Sequence, residues 1–179
     1  MPQGPSCMLF LSSRLDSCNS LLAGVSSQLL QRLQVVQNAA ARLVTAARRS
    51  EHMTPVLHNL HWLPVRQQIT FKTAVLVYKC LHSIAPQYLQ MNCEPTSTVT
   101  IRRLRSAHSG RLTVARTRTN YGDRSFTVQG PRVWNSLSAE LRTPDITLAT
   151  FRNRFKKDIP VPFVTVSQRI CSFSRTFAI

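Results

Sequence analysis

The segment VRQQITFKTAVLVYKCLHSIA, residues 65–85, has the periodicity of a helix that is apolar over much of its surface. Such a helix is buried on several sides, because apolar side chains that extend around it need cover from more than one neighbour. The Ala85-Pro86 step should end the helix, since the residue before a proline disfavours helical backbone angles. Its apolar residues are Ile69, Val75, Leu76, Tyr78, Cys80 and Leu81.

Two helices are predicted before it. SSQLLQRLQVVQNAAARLVTAA, residues 26–47, is amphipathic, and TPVLHNL, residues 54–60, has proline in its first turn, where a missing amide donor costs nothing. We expect these three helices to form the main core, with Trp62 sealing the turn between the second and the third. The apolar stripe of the first helix comprises Leu29, Leu33, Val36, Ala40, Leu43 and Val44; the face predicted to be solvated comprises Gln28, Gln31, Arg32, Gln34, Gln37, Asn38 and Arg42.

The chain changes character after residue 90. Residues 91–110 have few large apolar side chains and are predicted to be a linker or a long loop. The Thr- and Val-rich stretch from Arg111 to Val128 predicts a strand or an extended hairpin, with a turn at 121–123. Helices are then predicted at 131–142, opened by Pro131, and at 146–159. The predicted fold class is mainly α: a helical bundle at about residues 26–89, followed by a small basic α+β segment at about 111–158.

The charge of the chain is strongly positive, with 23 basic against 7 acidic residues and a formal net charge of +16. All but four of the basic residues are arginine, whose planar guanidinium pairs well with phosphate, so nucleic acid is the predicted partner. Tyr121 and Phe126 could stack on bases, although packing in a small core is the favoured interpretation of Phe126, Val128, Val133 and Trp134. The predicted phosphate-contacting residues are Arg102, Arg103, Arg105, Arg111, Arg116, Arg118, Arg124, Arg152, Arg154, Lys156 and Lys157.

Several separated motifs resemble the carboxyl-terminal region of reverse transcriptases from LINE-type (non-LTR, jockey-like) retrotransposons. In family order, the chain contains SRLDSCNSLLAG (13–24), LQRLQVVQNAAARLVT (30–45), TPVLHNLHWLPVRQQITFKTAVLVYKCLH (54–82), APQYL (85–89), RSAHSGRL (105–112), RTRTNYGDRSF (116–126) and GPRVWNSLSAELR (130–142). The resemblance covers residues 13 to about 158. Residues 1–12 and 160–179 are unlike the family, and we expect the first twelve to be disordered.

The resemblance implies a thumb and carboxyl-terminal extension that grip RNA or DNA. In the family, polymerization uses adjacent aspartates in an upstream palm domain, and the endonuclease is also upstream; here Asp16, Asp123, Asp145 and Asp158 are all separated. We therefore expect no intrinsic enzyme activity and no cofactor, but a non-catalytic fragment of an RNA-directed DNA polymerase. The expected layout is a thumb-like block at 13–90, a basic linker at 91–110 and a basic segment at 111–159.

Other interpretations stay open at this level. The apolar stripes at Leu29–Val44 and Leu148–Ile159 could serve self-association or a protein partner, and the second could lie on a membrane surface. The chain could also be a relic open reading frame with no selected function. No signal peptide or membrane span is predicted, so an intracellular location, nuclear or cytoplasmic, is expected with reduced thiols. The nearest grouping for zinc is Cys80, His82, Cys93 and His108, and packing or surface roles are favoured for the histidines.

Overall fold

The computed structural model describes residues 13, 19–99 and 109–159. Over these residues the chain is mainly helical, which confirms the predicted class. The leader 1–12, the tail 160–179 and Arg102, Arg103 and Arg105 lie outside the described residues. The helices are α1 (Ser27–Thr45), α2 (Met53–Asn59), α3 (Val65–Leu81), α4 (Gln87–Gln90), α5 (Thr96–Val99), α6 (Asn120–Asp123), α7 (Phe126–Ser136) and α8 (Leu148–Asp158), with short 3-10 helices η1 (Asn19–Leu22) and η2 (Ala139–Arg142).

Helix α3 is the centre of the fold, as its broad apolar surface predicts. Ala74 and Val77 are completely buried, and the helix contacts η1, α1, α4, α7 and α8. The hydroxyl of Tyr78 donates a hydrogen bond to the carbonyl of Ile146, so this buried phenol keeps a partner. Burial on several sides makes α3 the element against which the others are positioned.

The main core lies between α3, α7 and α8, rather than among the first three helices alone as the sequence suggested. Phe151 of α8 is completely buried, and its ring lies 4.9 Å from that of Tyr78 and 5.9 Å from that of Trp134. Phe155 and Ile159 continue the stripe on α8, which confirms that apolar face. Helices α1 and α3 instead share a smaller cluster around Val65 and Ile69. The prediction missed this because α7 was not recognised as one buried helix.

The Gly130-Pro131 step is not a break but the middle of α7. Proline removes one helical hydrogen bond. The helix nevertheless continues through Pro131, which is fully buried in the interior. Gly130 lets α7 approach α3 closely, since a Cβ atom at this position would lie 3.1 Å from a methyl group of Val77. The predicted helix start at Pro131 is therefore wrong, and α7 begins five residues earlier.

The hairpin predicted from Arg111 to Val128 does not form, and no strand occurs in the described residues. Leu112 makes an isolated antiparallel bridge with Pro95, and residues 113–117 have no regular structure. The second half of the predicted hairpin enters α6 and α7 instead, where Val128 is completely buried. Strand propensity depends on a pairing partner, and helix packing against α3 outweighs it here.

Part of the polar face of α1 is buried rather than solvated. Gln37 is only 3% exposed, and its Nε2 donates to the carbonyl of Leu63 over 2.9 Å. The Oε1 atom of Gln34 accepts from the amide of Val65, also over 2.9 Å. These two glutamines give hydrogen-bond partners to backbone groups of the turn that leads into α3. That turn contains Trp62, which is half-buried.

Helix α1 does not turn its predicted apolar stripe toward the protein, so much of that stripe is exposed. Leu29, Val36 and Leu43 are 49%, 54% and 81% exposed, and they recur every seven residues along one side of the helix. The buried side of α1 instead includes Gln37, Ala40 and Ala41.

Candidate nucleic-acid interface

The predicted arginines 111, 116 and 118 lie on an exposed segment that is anchored to α7. We call residues 109–119 the arginine segment. Trp134 is buried, and its indole Nε1 donates to the carbonyl of Gly110 over 2.9 Å. The side chain of Asn135 donates to the carbonyl of Leu112 and accepts from its amide, both over 2.8 Å. The Trp-Asn pair of α7 thus holds the segment by its backbone and leaves the arginine side chains free to point outward.

The arginine segment is also held by backbone hydrogen bonds to residues 94–96. The amide of Thr113 donates to the carbonyl of Glu94 over 2.9 Å, and the amide of Thr96 donates to that of Arg111 over 3.0 Å. Leu112 between these bonds is 3% exposed and belongs to the main core. The segment is therefore fixed at 110–113, while residues 115–120 are all exposed.

Charge is concentrated at this edge of the protein. Arg111, Arg116, Arg118 and Arg124 are all exposed, and the only carboxylate between residues 109 and 125 is Asp123. Asp123 is already engaged: its Oδ1 accepts from the hydroxyl of Thr117 over 2.7 Å and from Arg132 over 3.2 Å. The hydrogen bond from Thr117, and then the charge of Arg132, hold the pKa of Asp123 below its ordinary value. One carboxylate, already paired with Arg132, cannot balance the four exposed arginines.

The basic residues of α8 do not form a single patch. Arg152 and Lys156 lie one turn apart on one side of the buried stripe, while Arg154 and Lys157 lie on the other side. All four are exposed, as predicted, and the ammonium of Lys156 lies 5.7 Å from the ring centre of Phe71. A phosphate backbone that follows one side of α8 would meet only half of this set.

The aromatic residues near the arginines divide into two groups. Val128 and Trp134 are buried, and Phe126 and Val133 are partly buried against the same core, so the packing interpretation of these four is confirmed. Tyr121 is 84% exposed in α6, between Arg118 and Arg124. It is the aromatic side chain of this region that has a free face for stacking on a base.

Two basic residues outside the predicted set lie at this edge: Arg132, which pairs with Asp123, and Arg142. Arg142 ends η2, and the positive charge of Arg111 acts on it. Burial first, and then the charge of Arg111, lower the pKa of the Arg142 guanidinium. The two arginines are 31 positions apart in sequence, so only the fold brings them together, and no local sequence signal could have indicated it.

The cysteine and histidine grouping considered for zinc is only partly brought together. Cys80 and Cys93 are buried thiols that share a hydrogen bond, whereas His82 stacks on Tyr78 with ring centres 4.0 Å apart. Burial, and then the neighbouring Cys80, raise the pKa of Cys93 to about 12. Across residues 19–99 and 109–159, no three side chains of His, Cys, Asp or Glu are placed to hold one metal ion. His108 lies outside those residues.

Burial of the α8 stripe also bears on two alternatives. Phe151 and Phe155 face the core, so this stripe is available neither to a partner protein nor to a membrane surface. Within the part of the chain that the structure describes, no helix is long and apolar enough to span a bilayer. Among residues 19–99 and 109–159, the α1 stripe is the exposed apolar face that remains on a long helix.

Comparison of the chain with protein-family models, curated proteins and solved structures finds no match. The resemblance to LINE-type reverse transcriptases therefore rests on the sequence motifs alone, and it stays a prediction.

Proposed function

We propose that the chain binds nucleic acid through phosphate contacts made by the arginine segment and the neighbouring Arg124. The observation that carries this proposal is the exposed run of Arg111, Arg116 and Arg118, which is anchored at 110–113 and has Asp123 as the one carboxylate between residues 109 and 125. Positive charge at this density, with Arg111 on a fixed backbone, favours a polyanion. Contacts to phosphate alone discriminate little between sequences.

From the motif resemblance, we further propose that the chain is a non-catalytic fragment of a retrotransposon RNA-directed DNA polymerase, corresponding to the thumb and extension. None of the four aspartates of the chain is adjacent to another, so the ligand pair that the family uses for two-metal phosphoryl transfer is lacking in this sequence. Gripping RNA or DNA without chemistry is the role that the family likeness supports.

Fluorescence anisotropy of the nuclease-treated protein with labelled single-stranded RNA and duplex DNA, over a salt series, tests the proposal. If about six to ten phosphates are engaged, affinity should fall by roughly a thousandfold or more between 50 and 200 mM salt, because bound phosphates release counterions. Affinity that is independent of salt would exclude binding through phosphates.

A matched pair of double variants locates the interface. Replacing Arg116 and Arg118 with glutamine should weaken binding to all sequences alike and reduce the salt slope by about two. Replacing the exposed Arg48 and Arg49, which follow α1, removes the same charge elsewhere. Equal losses in the two double variants would mean that net charge, rather than the arginine segment, drives binding.

A second candidate function, self-association through α1, is favoured by the exposed Leu29, Val36 and Leu43. Their seven-residue spacing is that of a helix pairing along one seam. Sedimentation equilibrium in high salt with nuclease should then show a dimer, which Leu43→Lys dissociates. Ile84→Lys, at a site that is 59% exposed beyond α3, is the control. A monomer under these conditions excludes this candidate and leaves the first untouched.

A further inference from the structure

The guanidinium of Arg142 contains donors that have no acceptor. Its Nε and Nη1 atoms are buried, and no hydrogen-bond partner lies within reach of them in the described residues. Arginine stays protonated in proteins and has five N–H donors, so it cannot escape this by losing its charge. A partly buried cation with two covered, unpaired donors is a group that an anion would stabilise.

Arg111 adds a second positive charge beside it. Burial and the proximity of Arg111 both lower the pKa of Arg142, the direction expected when a cation is covered and faces a like charge. Among residues 19–99 and 109–159, no carboxylate forms an ion pair with either arginine. Two cations brought together without a counter-charge repel each other unless a ligand of opposite charge lies between them.

The backbone holds both residues in place before any ligand binds. Gly110 has a positive φ of 62°, and a Cβ atom there would lie 2.9 Å from the carbonyl oxygen of Arg142, so the segment and η2 approach each other as only glycine allows. Trp134 holds residue 110 and Asn135 holds residue 112, on either side of Arg111. The backbone positions of the two cations are therefore set before binding, and the Arg142 side chain is what has to rotate toward the anion.

We propose that Arg111 and Arg142 form a binding site for one phosphate group of a nucleic-acid backbone. A tetrahedral phosphate offers acceptors in several directions and can bridge two guanidinium groups, whereas a carboxylate offers two acceptors in one plane. Arg116 and Arg118 continue along the same exposed segment, which favours a chain of phosphates over a lone ion. Because Nε and Nη1 are covered, binding requires the Arg142 side chain to rotate. That the phosphate comes from nucleic acid rests on the proposed function; the anion site itself does not.

The first arm of the test uses inorganic phosphate. The melting temperature of the full chain is measured in sodium phosphate and in sodium chloride at equal ionic strength, for the wild type, Arg142→Met and the control Arg152→Met. Phosphate should raise the melting temperature of the wild type and of Arg152→Met by more than that of Arg142→Met, because phosphate also stabilises folded proteins without binding a site. Arg142→Met itself should melt higher than the wild type in chloride, because an unpaired buried charge is gone. Equal phosphate effects in all three would overturn the site.

The second arm measures binding of a labelled RNA oligonucleotide by anisotropy. Arg111→Gln and Arg142→Met should each weaken binding about tenfold and reduce the salt slope by about one. Since Arg111 is exposed, its replacement keeps the test valid even if Arg142→Met folds poorly. If the wild type binds RNA and both variants bind it with the same affinity, this site is overturned and the proposed function stands. Arg142-dependent stabilization by phosphate without RNA binding supports the site and overturns the proposed function.

Discussion

Replacing Asn135 with alanine should release the arginine segment from α7. The side chain of Asn135 makes two hydrogen bonds of 2.8 Å to the backbone of Leu112, a residue that is 3% exposed. A buried backbone group left without its partner costs about 1–3 kcal/mol. Because both the amide and the carbonyl of Leu112 are affected, the free energy needed to open the segment should fall by about 2–6 kcal/mol.

Hydrogen exchange measured residue by residue tests this directly, because the amide of Leu112 is itself a donor to Asn135. Its exchange should accelerate by roughly 30-fold or more, while amides in the middle of α3 change less, since the segment opens locally. Ser136→Ala, one residue along, removes only a local bond to the carbonyl of Val133 and is the control. If Leu112 exchanges at the same rate in both variants, the segment is held by something other than Asn135.

Three further perturbations have defined outcomes. Phe151→Ala should lower the free energy of unfolding in urea by about 3–5 kcal/mol, because a completely buried ring leaves a cavity between Tyr78 and Trp134; a loss below about 1 kcal/mol would contradict the core described above. Gln37→Ala should cost about 1–3 kcal/mol in the same assay, since the Leu63 carbonyl loses its donor, whereas the exposed Gln31→Ala should cost little. The raised pKa of Cys93, about 12, keeps the folded thiol protonated, so wild-type stability should be full below about pH 8.5 and decline as the pH rises toward 12. Cys93→Val should lack this part of the decline in urea titrations across that range, and identical pH dependences would show that Cys93 is not protected.

The helices whose apolar residues follow a clear helical period were predictable from sequence. Helices α1, α2 and α8 begin and end within about two residues of the predicted positions, because each has a helical period in its apolar residues. Helix α3 begins at Val65 as predicted but ends at Leu81, so the predicted stop at Ala85-Pro86 is four residues too late; Ser83, with a positive φ of 57°, already lies outside the helix. Helix α7 was not predictable in this way, since Gly130 and Pro131 are ordinarily breakers, and only the close approach to Val77 explains their place inside a helix. The face of α1 that turns inward was also hidden, because Gln34 and Gln37 meet backbone groups about 30 positions away.

Composition alone indicated the arginine segment, because its density of charge is a local property. The residues that anchor it could not be predicted, because Trp134 and Asn135 bond to residues more than 20 positions earlier. Nothing in the sequence distinguishes an asparagine that bonds to a distant backbone from one that is exposed to solvent. For the same reason, Arg142 was absent from the predicted site, although the fold places its charge beside that of Arg111.

The backbone pairing of Glu94 and Thr96 with Arg111 and Thr113 has a practical consequence for protein engineering. These bonds hold the two ends of the intervening chain together, so the rest of the fold depends little on its length. Doubling the length of a closed loop costs only about 0.6 kcal/mol in closure entropy. A fluorescent reporter or an affinity tag inserted between residues 99 and 109 should therefore leave the helical core folded.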